Sequence, residues 1–197
     1  MGFSICYLGL RCPVEKVAEY LSLDLEEEAS GDWLPMDSWA GMLKGADWTL
    51  VWLEDARFIE KNIALLQSAS QKVDVIACEV VESVMWASAQ YWSNGALIWK
   101  VTHAGDGDDI FNLTETGNLP PEYSAIRTEH FKNQEKENES DEEYGCDHIF
   151  EIPLDLAAVS LKFRHEQALK ADDFASFRSI VPPPRKGLIE KVLSLFK

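Results

Sequence analysis

Cysteine and histidine side chains are the first candidates for chemistry in this chain. Cys78 and His103 lie in one β-rich stretch, and a thiol beside an imidazole can act as a nucleophile activated by a base. Cys146, Asp147 and His148 are adjacent and could each bind a metal ion. A nucleophile–base pair also needs an orienting group, however, and zinc sites usually combine two spaced pairs of ligands. We therefore predict no catalytic residue, no metal site and no cofactor.

The segment after the β-rich stretch contains three aspartates around a glycine, Asp106, Asp108 and Asp109. This spacing suggests an EF-hand calcium loop, which requires glycine at its sixth position and glutamate at its twelfth. Counted from Asp106, these positions hold Phe111 and Gly117, so we predict a solvated turn instead. The sequence also lacks the glycine-rich phosphate-binding motifs and the serine-hydrolase, zinc-protease and kinase motifs. The motifs thus favour a function other than catalysis.

Residues 73–103 predict the element that positions most of these side chains, a long β-hairpin. Asn94-Gly95 separates two apolar runs, and this dipeptide favours a type I′ turn, in which both central residues have positive φ. Because the first run is long for one strand, we expect a bulge or bend near residues 80–81. The turn sets the expected cross-strand pairs, which are Ser93–Ala96, Trp92–Leu97, Gln90–Trp99, Ser88–Val101 and Trp86–His103. In this register Trp86, Trp92 and Trp99 share one face of the hairpin.

Apolar periodicity and turn residues predict the remaining elements. Strands are expected over 3–11, 48–53 and 148–153, and helices over 13–21, 56–70, 121–136 and 154–163. The order predicts an α+β fold: a mixed or antiparallel sheet built around a central long β-hairpin, with helices packed mainly on one face. We expect residues 1–181 to form this single domain. Residues 182–197 are expected to form a proline spacer and an amphipathic helix docked on the domain.

The charge of the chain limits its partners. Among 197 residues, 34 acidic and 18 basic side chains give a net charge of −16 at pH 7. A strongly negative surface repels nucleic acids and anionic membranes, so we expect neither as a partner. It attracts basic proteins and accelerates their association, although solubility alone explains the charge equally well. Scattered cysteines without a Cys-x-x-Cys motif, and no signal peptide or apolar membrane segment, predict a soluble cytoplasmic protein.

The acidic side chains gather in two segments. Residues 133–147 form the most acidic and least apolar stretch, which predicts an exposed loop, and the aspartates of 106–109 form the second segment. Both segments could meet a basic partner. The predicted partner-binding residues are Asp106, Asp108, Asp109, Glu135, Glu137, Glu139, Asp141, Glu142 and Glu143.

The tryptophan-rich hairpin W-S-N-G-A-L-I-W-K-V-T-H, in a small acidic chain, resembles the immunity proteins of bacterial toxin systems. The resemblance is one of general type and covers the hairpin and its flanks. It implies a protein-binding module that covers the active surface of a cognate toxin through acidic loops. One alternative is a small-ligand-binding protein or enzyme, in which the hairpin tryptophans and His103 line a pocket beside Glu79 or Glu82. Another alternative is a homodimer formed through the C-terminal helix.

Overall fold

The computed structural model describes residues 2–26, 38–105, 109–139 and 145–181. In these ranges, eight strands form one sheet and five α-helices pack around it. The strands are β1 (Ser4–Leu10), β2 (Trp39–Leu43), β3 (Thr49–Leu53), β4 (Val75–Val81), β5 (Trp86–Ser93), β6 (Ala96–Ala104), β7 (Leu113–Gly117) and β8 (Phe174–Ser179). The helices are α1 (Val14–Leu21), α2 (Phe58–Lys61), α3 (Ile63–Ser70), α4 (Tyr123–Asn138) and α5 (Glu151–Leu161).

The sheet has the order β7-β6-β5-β4-β1-β3-β2-β8, and each neighbouring pair is antiparallel. The predicted α+β class and antiparallel sheet are therefore confirmed. The expected break in the first long run is also present, because β4 ends at Val81 and a short 3-10 turn precedes β5. The hairpin is not central, however: β6 and β5 lie second and third from the β7 edge, and β4 and β1 occupy the middle.

The hairpin register agrees with the prediction only beside the turn. Asn94-Gly95 joins β5 to β6 with φ of 52° and 76°, and the two pairs next to the turn are as expected. The register then shifts, so that Tyr91 pairs with Trp99 and the more distant predicted pairs are wrong. Ile98 is the extra residue on β6, and its carbonyl accepts the N–H of Asn118 just beyond β7 (2.8 Å). The neighbouring edge strand thus stabilises the bulge.

The bulge also places the hairpin tryptophans on different faces of the sheet, which corrects the prediction of one shared face. Trp99 packs with Tyr91 in the core beneath α5, at 6.2 Å between ring centroids. Trp92 packs in the opposite core, beneath α1 and α3. An alternation counted only from the turn cannot include an extra residue, and one added residue reverses the facing of every side chain beyond it.

Helices cover both faces of the sheet, so the expectation of helices mainly on one face is wrong. β1 shows the reason, because Tyr7 and Leu8 point to opposite faces and both are fully buried. α5 covers the Tyr7 face, whereas α1 and α3 cover the Leu8 face. A sheet that is apolar on both sides needs a packed layer on each. α4 packs against α5 as an outer layer.

The predicted strand over 148–153 is instead the entry to α5. Asp147 Oδ1 accepts the backbone N–H groups of Ile149 and Phe150 at 3.1 and 3.0 Å, which satisfies donors at the start of the helix. Pro153 lies in the first turn, where a missing N–H is tolerated. None of the helices in the described ranges is long and apolar enough to cross a membrane. The predicted spacer and helix at 182–197 lie outside the described residues.

Candidate functional site

Each of the four histidines lies beside a carboxylate. The distances from Nε2 to the carboxylate oxygen are 2.9 Å for His103–Asp147, 2.7 Å for His130–Asp155, 3.6 Å for His148–Glu137 and 2.9 Å for His165–Glu82. Within the described part of the chain, no serine, threonine or cysteine hydrogen-bonds to a histidine ring. A nucleophile activated by histidine is therefore not formed among these residues.

Cys78 illustrates the same point. It is fully buried on β4, and burial raises the pKa of its thiol to about 12. A thiol in this environment stays protonated at neutral pH and is a poor nucleophile. Among the residues that the structure describes, no group of three or more histidine, cysteine, aspartate or glutamate side chains could hold a metal ion.

His103 joins three separate segments of the chain. Its ring is fully buried, with Nδ1 2.7 Å from the Asn112 carbonyl and Nε2 2.9 Å from Asp147 Oδ2. With a hydrogen on each nitrogen, the ring donates to both acceptors. The other Asp147 oxygen accepts the N–H groups of Ile149 and Phe150 in the turn just before α5, so the end of β6, the approach to β7 and this turn are held together at one corner of the molecule.

Some of the predicted partner-binding residues lie in the described part of the chain, and some of these are close to this corner. Asp109 is exposed, and its Oδ1 accepts the N–H of Phe111 at 2.9 Å. Glu135 and Glu139 are exposed on and just after α4, whereas Glu137 turns inward and accepts the N–H of Cys146 at 3.1 Å. The remaining predicted residues lie outside the described ranges, namely Asp106, Asp108, Asp141, Glu142 and Glu143.

The anchors of the two acidic segments lie close together. Gly105 contacts the carboxylate of Asp147, since a Cβ on this glycine would lie 3.0 Å from Oδ2. Gly145 likewise contacts Glu137, since a Cβ on this glycine would lie 3.2 Å from the Cγ of Glu137. The described residues that flank 106–108 and 140–144 therefore meet at Gly105 and Asp147, which are far apart in sequence. We call the described flanks of these two segments the acidic corner, namely Gly105, Asp109, Glu139 and residues 145–147.

The outer surface of α4 is less acidic than its sequence suggested. Lys132 and Lys136 are exposed on this helix together with Glu135. Lys132 lies three residues before Glu135 and is its neighbour on the helix, so this lysine offsets the charge of Glu135. Toward the N-terminal end of α4, Arg127 pairs with Glu115 of β7 at 3.1 Å. Acidic and basic side chains are equal in number along α4: Glu129, Glu135 and Glu137 against Arg127, Lys132 and Lys136.

A buried carboxyl group lies elsewhere, on the face of the sheet covered by α2 and α3. Glu79 on β4 is only 5 % exposed, and its Oε1 accepts the N–H of Ile59 at 3.2 Å. It lines a cavity of about 410 Å³ together with Trp86, Gln90 and Lys100. Burial raises the pKa of Glu79 to about 7, although the Ile59 N–H and the Lys100 charge act in the opposite direction.

The aromatic pocket of the alternative hypothesis is not formed as predicted. Trp92 and Trp99 are buried on opposite faces of the sheet, and His103 bonds to a backbone carbonyl and to Asp147. Trp86 alone of the hairpin tryptophans lines the Glu79 cavity. The one sequence signal for this cavity is a glutamate inside an apolar strand, V-I-A-C-E-V-V.

Comparisons with protein-family models, with curated proteins and with solved structures found no match to this chain.

Proposed function

We propose that this protein is a binding module that inhibits a basic protein partner, in the manner of an immunity protein of a bacterial toxin system. The acidic corner is the proposed contact surface. Two observations support it: the chain has a net charge of −16, and Gly105 and Gly145, which adjoin the two predicted acidic segments, contact Asp147 and Glu137. The second segment begins later than predicted, because residues 133–138 belong to α4 and not to a loop.

The proposal depends on the two acidic segments being attached to the same part of the fold. Each residue extends the chain by at most about 3.6 Å, so short segments cannot carry their carboxylates far from fixed ends. In the described flanks of these segments, Asp109 accepts the N–H of Phe111, Glu137 accepts the N–H of Cys146, and Asp147 bonds to His103. We infer that the carboxylates of both segments contribute to one negative surface.

The chemistry of such a surface fits a basic, phosphate-binding cleft. Carboxylates placed in the cleft occupy the positions of substrate phosphates and pair with its lysine and arginine side chains. Complementary charge also accelerates the first encounter of two proteins, and salt weakens this acceleration. The partner of this class is a basic toxin whose active surface becomes covered.

The test is coexpression with the polypeptide encoded beside this gene, followed by purification and binding kinetics. We expect a stable complex whose association rate falls about tenfold when the salt concentration rises from low to physiological values. The triple variant Glu139→Gln/Glu142→Gln/Glu143→Gln should slow association by a similar factor.

A matched variant with the same charge change separates the acidic corner from the net charge. Glu15, Glu26 and Glu54 are exposed and lie outside the corner, and their triple replacement by glutamine should change the association rate less than twofold. The proposal is wrong if no complex forms, or if the two triple variants slow association equally.

A further inference from the structure

The Glu79 cavity contains groups suited to a ligand and lies outside the acidic corner. Its volume of about 410 Å³ falls within the range of small-molecule pockets, about 300–1,000 Å³. We propose that this cavity binds a small organic anion with an aromatic or other apolar body. This inference does not depend on the proposed inhibitory function.

The walls of the cavity provide an apolar surface for the body of such a ligand. Ile59 and Val81 line it, and the half-buried Trp86 presents an indole ring to it. Ile63 at the start of α3 also lines the cavity and is 51 % exposed, which is unusual for a large aliphatic side chain. An apolar ligand would cover Ile63 and remove its surface from water, which is favourable.

The polar side chains that line the cavity are Arg57, Glu60, Glu79, Gln90 and Lys100. The Gln90 side chain is 3 % exposed, and its Oε1 accepts the indole N–H of Trp92 at 3.0 Å. The amide nitrogen of Gln90 has no hydrogen-bond partner among the described residues, so its two N–H groups are available to a ligand.

Two cationic side chains add to these donors. Lys100 pairs with Gln90 across β5 and β6, and Arg57 lies at the start of α2. In the described ranges, neither forms an ion pair with a carboxylate within 4.0 Å. The carboxyl groups of Glu60 and Glu79 line the same cavity, but burial favours the uncharged form of Glu79, so a positive charge remains for an anionic ligand.

Glu79 adds a dependence on pH. The charged or titratable groups around it are Cys6 on β1, Arg57 and Glu60 at α2, and Lys100 on β6. In its protonated form the Glu79 carboxyl donates an O–H to an anion, whereas its carboxylate repels one. An anion beside it therefore favours protonation, and binding should weaken as the pH rises through about 7.

Three probes of the same shape test the charge selectivity, namely benzoate, benzamide and benzylamine. In a ¹H–¹⁵N spectrum of the whole protein, the indole N–H signal of Trp86 is identified by its loss in Trp86→Phe. We expect this signal to shift with benzoate and to saturate below about 20 mM, a concentration that detects millimolar affinity. Benzamide should bind about tenfold more weakly, and benzylammonium should cause no shift.

Variants locate the binding groups. Lys100→Gln should weaken benzoate binding about tenfold, whereas Lys44→Gln, an exposed lysine far along the sheet, should leave it unchanged. From pH 6 to pH 8, wild-type affinity should fall about fivefold, and Glu79→Gln should abolish this dependence.

The inference is overturned if benzoate leaves the Trp86 signal in place at about 20 mM, or if benzylammonium moves it equally. Equal benzoate binding by Lys100→Gln would also overturn it. The probe series uses the wild-type protein, so it decides the question even if a variant fails to fold.

Discussion

Replacing Glu79 with glutamine isolates the free energy of burying this carboxyl group in the sheet. The amide has nearly the same shape and keeps an oxygen that can accept the N–H of Ile59. It has no charge at any pH, so it lacks the cost of burying a carboxylate. The difference in unfolding free energy between the two proteins should therefore depend on pH.

The sign and size follow from the pKa of Glu79. The pKa is about 7 in the folded protein against an ordinary value of 4.5, and burial is the main cause. The folded protein thus binds this proton more tightly than the unfolded chain does. The resulting stability is fully present below pH 4.5 and is lost as the pH rises through 7. Since a tenfold change in proton affinity corresponds to about 1.4 kcal/mol, the wild type should lose about 2 kcal/mol relative to Glu79→Gln between pH 5 and pH 8.

Urea unfolding followed by tryptophan fluorescence measures this difference at a series of pH values. Other groups titrate in both proteins and cancel in the comparison. Glu54→Gln, at an exposed position, serves as the control and should differ from wild type by less than about 0.5 kcal/mol throughout. If the difference in unfolding free energy between the wild type and Glu79→Gln stays constant from pH 5 to pH 8, the assignment of a buried carboxyl with a raised pKa is refuted.

Three further predictions concern other parts of the fold. Asp147→Ala removes the acceptor for His103 and for two N–H groups in the turn just before α5, so urea unfolding should show a loss of about 3 kcal/mol; a loss below about 1 kcal/mol would contradict the proposed anchoring. Gly117→Ala places a Cβ against the Ile98 carbonyl at a φ of +82°, so the unfolding free energy should fall by about 1–2 kcal/mol, and an unchanged melting temperature would count against the packing of β7 on the Ile98 bulge of β6. Cys146 is exposed and the other three cysteines are buried, so Ellman's reagent should react rapidly with one thiol in the folded protein and with all four in urea; more than one rapid thiol before unfolding would contradict this burial.

The hairpin shows how far local chemistry predicts a fold. The Asn94-Gly95 turn and the two adjacent pairs follow from residues that are close in sequence. The bulge at Ile98 depends on β7, an edge strand whose short polar sequence gives little strand signal. Because the bulge reverses side-chain facing, one strand missed in the sequence was enough to misplace Trp99 relative to Trp92.

The start of α5 shows a different limit. Residues 148–153 contain β-branched and aromatic side chains, which favour a strand by propensity. Asp147 ahead of the segment and Pro153 in its first turn are helix-start signals that point the other way. Packing of Ile149 and Ile152 into the core beneath the sheet decided between them.

The two candidate surfaces differed in how visible they were in the sequence. The acidic segments could be predicted because charge density is a local property of the sequence. The meeting of their described flanks could not, since it depends on the contact of His103 with Asp147, 44 residues away. Of the Glu79 cavity, the sequence indicated Glu79 and Trp86, but the other wall residues come from α2, α3 and β6, whose contact with β4 depends on the fold.

The most direct test of the proposed function is hydrogen exchange with and without the polypeptide encoded beside this gene. Binding should slow backbone exchange in 103–112 and 134–148, which surround the acidic corner, and leave α1 unchanged. Slowed exchange confined to α1 and the neighbouring strands, with none at the corner, would contradict the proposed contact surface.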